Sequence, residues 1–129
     1  MKIGDLRIGN YIQIERFVHN VIEIHGDGYV ITNYNVGANN KLAISIIKPI
    51  VITVNWLNKF SLPINFENEH YTIYDFGDTE FQLIHDYAKG LDKFNIAFEG
   101  NEIKTVHYVH QLQNLYYFLC NIDLMAIEG

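Results

Sequence analysis

The stretch Tyr108-Val-His-Gln-Leu-Gln-Asn-Leu-Tyr-Tyr-Phe-Leu119 decides how the rest of the chain is read. Taken as a helix from about Val109, it gathers Val109, Leu112, Leu115, Tyr116 and Leu119 onto one apolar stripe, because side chains three and four apart share a helical face. His110, Asn114 and Tyr117 look the other way. Short alternating segments that read as antiparallel strands precede it, so the helix is the natural lid for one face of their sheet.

Working back from that helix, His70 to Asp75, Glu80 to His85, Phe94 to Phe98 and Ile103 to Tyr108 read as strands. Gly77-Asp78, Lys89-Gly90 and Glu99-Gly100-Asn101 are the turns between them, which makes the region a four-stranded meander. Pro63 and the Asn-rich segment to Asn68 read as a connector between lobes at residues 1–62 and 63–129, unless the two form one compact domain. Before it, Thr53 reads as the N-cap of a two-turn helix over Val54 to Phe60, whose Trp56, Leu57 and Phe60 must hold it by packing. In the N-terminal third, Tyr11 and Gln13 alternate with Ile12 and Ile14. Asn20 to Ile24 and Tyr29 to Asn33 flank His25-Gly-Asp-Gly28 in a hairpin pattern. Asn33 to Lys41 is a polar loop, and Leu42 to Ile52 is an apolar strand region that Pro49 interrupts at an edge or bulge. Ile122 to Ile127 reads as a last edge strand. The expected fold is α+β: a small N-terminal β-barrel-like unit with a short helix, then a four-stranded antiparallel meander packed by the C-terminal helix.

Composition narrows the function. With 129 residues, 49% hydrophobic and 14% aromatic, the chain has the means to bury a core. A net charge of -6 and only 9 scattered basic residues argue against a nucleic-acid partner, which needs clustered Lys and Arg to neutralise phosphates. The single Cys120 has no intramolecular disulfide partner, which fits a reducing cytoplasm, the expected location. Met-Lys-Ile-Gly-Asp lacks an apolar signal core, and the longest apolar run, Leu115 to Cys120, is too short to span a bilayer, so no membrane role is expected.

Three stretches carry a resemblance. Leu6-Arg-Ile-Gly-Asn-Tyr11, Pro49-Ile-Val-Ile-Thr-Val-Asn-Trp-Leu-Asn-Lys-Phe60 and Ile103-Lys-Thr-Val-His-Tyr-Val-His-Gln-Leu-Gln-Asn-Leu-Tyr116 resemble a family of short uncharacterised proteins encoded in Bacteroidetes genomes, often within prophage-like regions. The block from Val109 to Tyr116 is its most specific part. Where such proteins have Gly-Phe after the short helix and Thr-Gly after the long one, this chain has Ser61-Leu62 and Cys120-Asn121, so its helix ends are expected to differ. The resemblance implies a mobile-element origin and brings no reaction or ligand. The Leu6 to Tyr11 opening also looks like the first strand of small SH3-like barrels, which implies a binding module by analogy alone.

Candidate chemistry is sparse. His107 and His110 invite a metal or enzyme site completed by His85 and Asp86, but the pair straddles a strand-to-helix junction without further ligands beside it. Asp75, Asp78, Glu80 and Asp86 read as a solvated acidic edge without EF-hand spacing. Cys120 sits at a helix C-terminus, where the dipole disfavours a thiolate, so a buried free thiol is expected. No phosphate loop or metal-ligand spacing occurs, and neither cofactor nor catalytic residue is expected. Leu115-Tyr-Tyr-Phe-Leu-Cys120 leaves one turn and a half without a polar side. Either the N-terminal lobe covers Tyr117 and Phe118, which is the favoured expectation, or a protein partner or second copy does. His110, Asn114, Tyr117 and Phe118 are therefore the candidate interface residues. The function expected is that of a non-enzymatic accessory or binding protein acting through protein contacts. The alternatives are a nucleic-acid-associated phage factor and an enzyme or metal site around His85, Asp86, His107 and His110.

Overall fold

The computed structural model describes residues 1–33, 41–90 and 93–126. Two antiparallel sheets carry the architecture, and the α+β class is as the sequence implies. The first contains β1 (Tyr11–Ile14), β2 (Phe17–His25), β3 (Tyr29–Thr32) and β4 (Leu42–Ala43), paired in that order. Past β4, Lys48 exchanges both backbone hydrogen bonds with Gln13 on the free side of β1, which curls the sheet into a half-barrel. Leu6, Ile12, Val21, Val30 and Ile47 fill its interior.

The hairpin read at His25 to Tyr29 forms, with Gly28 at φ 97°, a left-handed conformation glycine adopts without Cβ strain. Another hairpin is invisible in the composition: β1 turns into β2 at Glu15-Arg16, with Glu15 at φ 55°. Of the polar loop read at Asn33 to Lys41, residues 34–40 lie outside the described residues.

Helix α1 (Val54–Lys59) starts where expected, the Thr53 hydroxyl accepting from the Trp56 amide at 3.3 Å. Trp56, Leu57, Phe60 and Leu62 pack into the core of the second sheet, together with Ile50 and Ile52. That sheet runs β5 (Ile64–Glu67), β6 (Tyr71–Asp75), β7 (Phe81–Asp86), β8 (Phe94–Phe98) and β9 (Asn101–Val106) in order. The four strands of the expected meander are all present. The Pro63 to Asn68 segment, read as a connector, supplies a fifth: Ile64 to Glu67 pair along β6 at the sheet's edge, with every residue exposed. An exposed edge strand needs no inward apolar set, so its sequence looks like a loop.

Helix α2 (Val109–Cys120) crosses one face of this sheet. Val109 and Leu112 are fully buried, Tyr116 nearly so, and Leu115 and Leu119 pack at the margin of the same core. The Phe76 and Tyr116 rings meet edge-on at 4.9 Å. Asn121 at φ 58° closes the helix in the left-handed conformation that asparagine tolerates. The tail read as an edge strand is instead irregular over its described residues: Leu124 is buried in the main core, and Ala126 donates its amide to the Tyr11 hydroxyl. Leu112→Ala would empty the centre of the helix–sheet contact and is expected to cost about 2–5 kcal/mol of unfolding free energy in urea denaturation. A loss of a few tenths would contradict this seating of the helix.

Candidate binding surface on the second face of helix α2

The helix has two working faces. Opposite its apolar stripe, His110, Gln113, Asn114 and Tyr117 recur at spacings of three and four, and this row meets the half-barrel. Gln113 is buried and fully engaged: its Oε1 accepts from the Tyr11 amide at 2.9 Å, and its Nε2 donates to the Gly9 and Leu124 carbonyls, both at 3.0 Å. Asn10, also buried, donates to Asn114 Oδ1 at 2.8 Å and accepts from the Arg7 amide. Asn114 Nδ2 donates to the Asp5 carbonyl at 2.9 Å. Tyr11 reaches past these amides to meet Trp56 and Phe60 in tilted ring contacts, at centroid distances of 5.2 Å and 6.0 Å. Polar contacts along one side of α2 and aromatic contacts between Tyr11 and α1 thus bind the two lobes.

The row ends at Tyr117, over whose ring the Arg7 guanidinium sits 3.7 Å from the centroid while also lying 3.6 Å from the Asp123 carboxylate. The intramolecular cover expected for this stretch is therefore present at Tyr117, which remains 37% exposed. Phe118 is different. It stands 82% exposed in the middle of the last turns, with Ile122, one turn on, at 59%. Of the four candidate interface residues, then, Tyr117 and Phe118 face outward, whereas His110 is buried and Asn114 is bonded into the joint between the lobes.

Alongside α2, from Tyr108 to Phe118, lies an open hollow of about 570 Å³. Its walls come from the turn Ile3–Asp5, Pro49, β9 and the helix, and they include Asp5, Lys104, His110, Gln111, Leu115 and Phe118. His110 is 4% exposed, and its Nδ1 has no hydrogen-bond partner among the described residues. Burial pushes its imidazole below the ordinary value of 6.5, and the nearby Asp5 carboxylate pulls weakly the other way. Gln111 Oε1 accepts from the His107 and Tyr108 amides, the helix-capping contact at this end, while Tyr108 supplies no side-chain cap.

The alternative histidine site does not assemble. His85 lies inside the second sheet, stacked on Phe94 at 4.2 Å with Tyr87 edge-on at 4.8 Å, and Asp86 alternates to the other face of β7. His107 is exposed and His110 buried. Among the described residues no three His, Cys, Asp or Glu side chains are grouped to hold a metal ion. Asp75 accepts from Asn65 and Asp86 from the Ala88 amide, as surface carboxylates closing local structure. Cys120, expected to be buried, is half-buried; it donates its thiol to the Phe76 carbonyl at 3.5 Å, and desolvation raises its pKa. Gly77 belongs to the same contact, since a Cβ there would lie 3.3 Å from Cys120 Sγ. No helix among the described residues is long and apolar enough to cross a membrane.

No protein-family model, curated protein or solved structure matches the chain. Its functional reading rests on its own surface.

Burial lowers the pKa of both His110 and His19, the latter bonded to the Thr32 hydroxyl at 2.7 Å inside the half-barrel. Each folded-state pKa lies below the unfolded one, so the stability these groups contribute is present above about pH 6.5 and lost as pH falls through the folded values. Urea denaturation should therefore give a falling unfolding free energy from neutral pH toward pH 5, and His110→Gln should flatten part of that fall. Superimposable pH profiles would contradict the burial of a neutral imidazole.

Proposed function

We propose that the chain is a non-enzymatic accessory protein that works by binding another protein, with the outer face of α2 around Phe118 as its contact surface. The observation that supports this reading is the exposure of Phe118, 82%, on a helix whose remaining large apolar side chains are mostly packed away. Leaving an aromatic ring in water forgoes burial that a partner would supply, and aromatic side chains of this kind anchor interfaces. Around it stand Tyr117, held by Arg7, and Ile122, which give the ring an apolar and cationic border. A chain carrying net charge -6 without a basic patch in its sequence favours a protein partner over a nucleic acid. The mobile-element origin implied by the Val109 to Tyr116 block fits such an accessory role.

Phe118→Asp tests the reading, because an exposed position tolerates the change without loss of the fold. Wild-type protein should either sediment as a dimer or retain one specific partner from its native host, and the variant should lose that association at an unchanged urea midpoint. Equal association by both proteins, or a wild-type chain that stays monomeric and partnerless, would refute it.

A further inference from the structure

We infer that the partner at the outer face of α2 is a second copy of this chain, bound in a two-fold arrangement in which each Phe118 ring enters the hollow alongside the other copy's α2. The inference rests on the protein-contact reading of Phe118 and names its occupant. Three features of this face point to a self-complementary contact.

The first is that a projection and a recess lie side by side. Phe118 stands 82% exposed at one end of the hollow, whose other walls include Gly4, Pro49, Gln111 and Leu115. A two-fold axis normal to the helix and passing near Leu115 exchanges the two ends of α2, so the ring of each copy lands in the recess of the other. At about 570 Å³ the recess has room for a phenyl side chain, and Pro49 and Leu115 give the ring an apolar seat. An unrelated partner would have to bring both a recess for Phe118 and a ring for the hollow. A second copy brings both at once.

The second is helical spacing. Gln111, Leu115 and Phe118 follow one another at intervals of four and three, the seam along which two helices pack, and all three keep some exposure to solvent. The neighbouring row is not available for this, because Gln113 and Asn114 are engaged by the half-barrel side of the chain.

The third is charge. Lys104 and the Met1 ammonium stand in the walls of the hollow, where Asp5 is already bonded to the Lys2 amide and burial keeps His110 neutral. The last turn of α2 carries no basic residue, so its carbonyl end keeps the partial negative charge of the helix dipole. In the antiparallel arrangement each carbonyl end approaches the cationic wall of the other copy's hollow. Two chains of net charge -6 repel at long range, and this local pairing offsets the repulsion where they meet.

The test is sedimentation velocity on the full chain, joined to isotope-filtered NMR on a mixture of labelled and unlabelled copies. Wild type should dimerise reversibly, and its Phe118 ring should give NOEs to Gln111 and Leu115 of the other copy. Gly4→Trp puts a ring at the hollow from within its own chain: a Cβ at Gly4 meets no atom within 4 Å, so the fold accepts the change while Phe118 stays free. That variant and Lys104→Glu should each weaken dimerisation about ten-fold or more at an unchanged urea midpoint, since the symmetry repeats each change at both contacts. A dimer that Gly4→Trp leaves intact, without NOEs from Phe118 into the other copy's hollow, would overturn the inference. A wild-type chain that stays monomeric at millimolar concentration, yet holds a host protein through Phe118, would overturn the second copy and leave the protein-contact reading standing. A monomer with no partner would overturn both.

Discussion

The placement of the half-barrel against the long helix depends on the buried side-chain amide of Gln113. Its oxygen and both of its hydrogens are engaged by backbone groups of Tyr11, Gly9 and Leu124, so the half-barrel, the long helix and the C-terminal tail meet at a single polar group. A buried amide is stabilising only when fully bonded, and each group left without a partner costs roughly 1–3 kcal/mol. Apolar packing alone would let the two lobes slide. The amide fixes their register, because its donors and acceptor fit one placement of the first strand over the helix. Tyr11 adds area to this joint by entering the aromatic cluster of Trp56 and Phe60.

That constraint explains how a 12-residue helix serves two lobes at once and where it has surface to spare. Its apolar stripe lies on the second sheet, its polar stripe lies on the half-barrel, and what remains is the narrow sector carrying Phe118, with the hollow running beside it. The proposed contact surface is a consequence of this geometry. It calls for no reaction centre, and the described histidines and carboxylates are distributed into the core, the surface and local turns.

Much of this was legible beforehand. The spacing of Val109, Leu112 and Tyr116, the Thr53 cap, the Gly28 hairpin and the four central strands follow from periodicities that burial imposes directly. What escaped notice follows other physics. The strand at Ile64 to Glu67 is an exposed edge and carries no burial pattern. The turn at Glu15-Arg16 contains no glycine or asparagine, so pairing with the neighbouring strand, not local preference, holds Glu15 at positive φ. The tail, over its described residues, is irregular: Leu124 is buried in the main core and Ala126 bonds to the Tyr11 hydroxyl, so single contacts and no strand alternation place it. Gln113 is the most instructive case. His110, Gln113, Asn114 and Tyr117 form a row at helical spacing, but a polar row is ordinarily read as a solvated face. Recognising it as an interface required knowing that a second lobe lay opposite with amides and carbonyls to match.

The account's central claim is that the half-barrel and the second sheet form one cooperative unit through Gln113, and native-state hydrogen exchange on wild type and Gln113→Leu measures this most directly. The account predicts that amides of Val21 and Val30 in the half-barrel and of Leu83 and Ile96 in the second sheet open with one common free energy in the wild type, and that the variant lowers half-barrel protection far more than that of the sheet. Half-barrel protection that is unchanged by the substitution, or two independent opening energies already in the wild type, would contradict it.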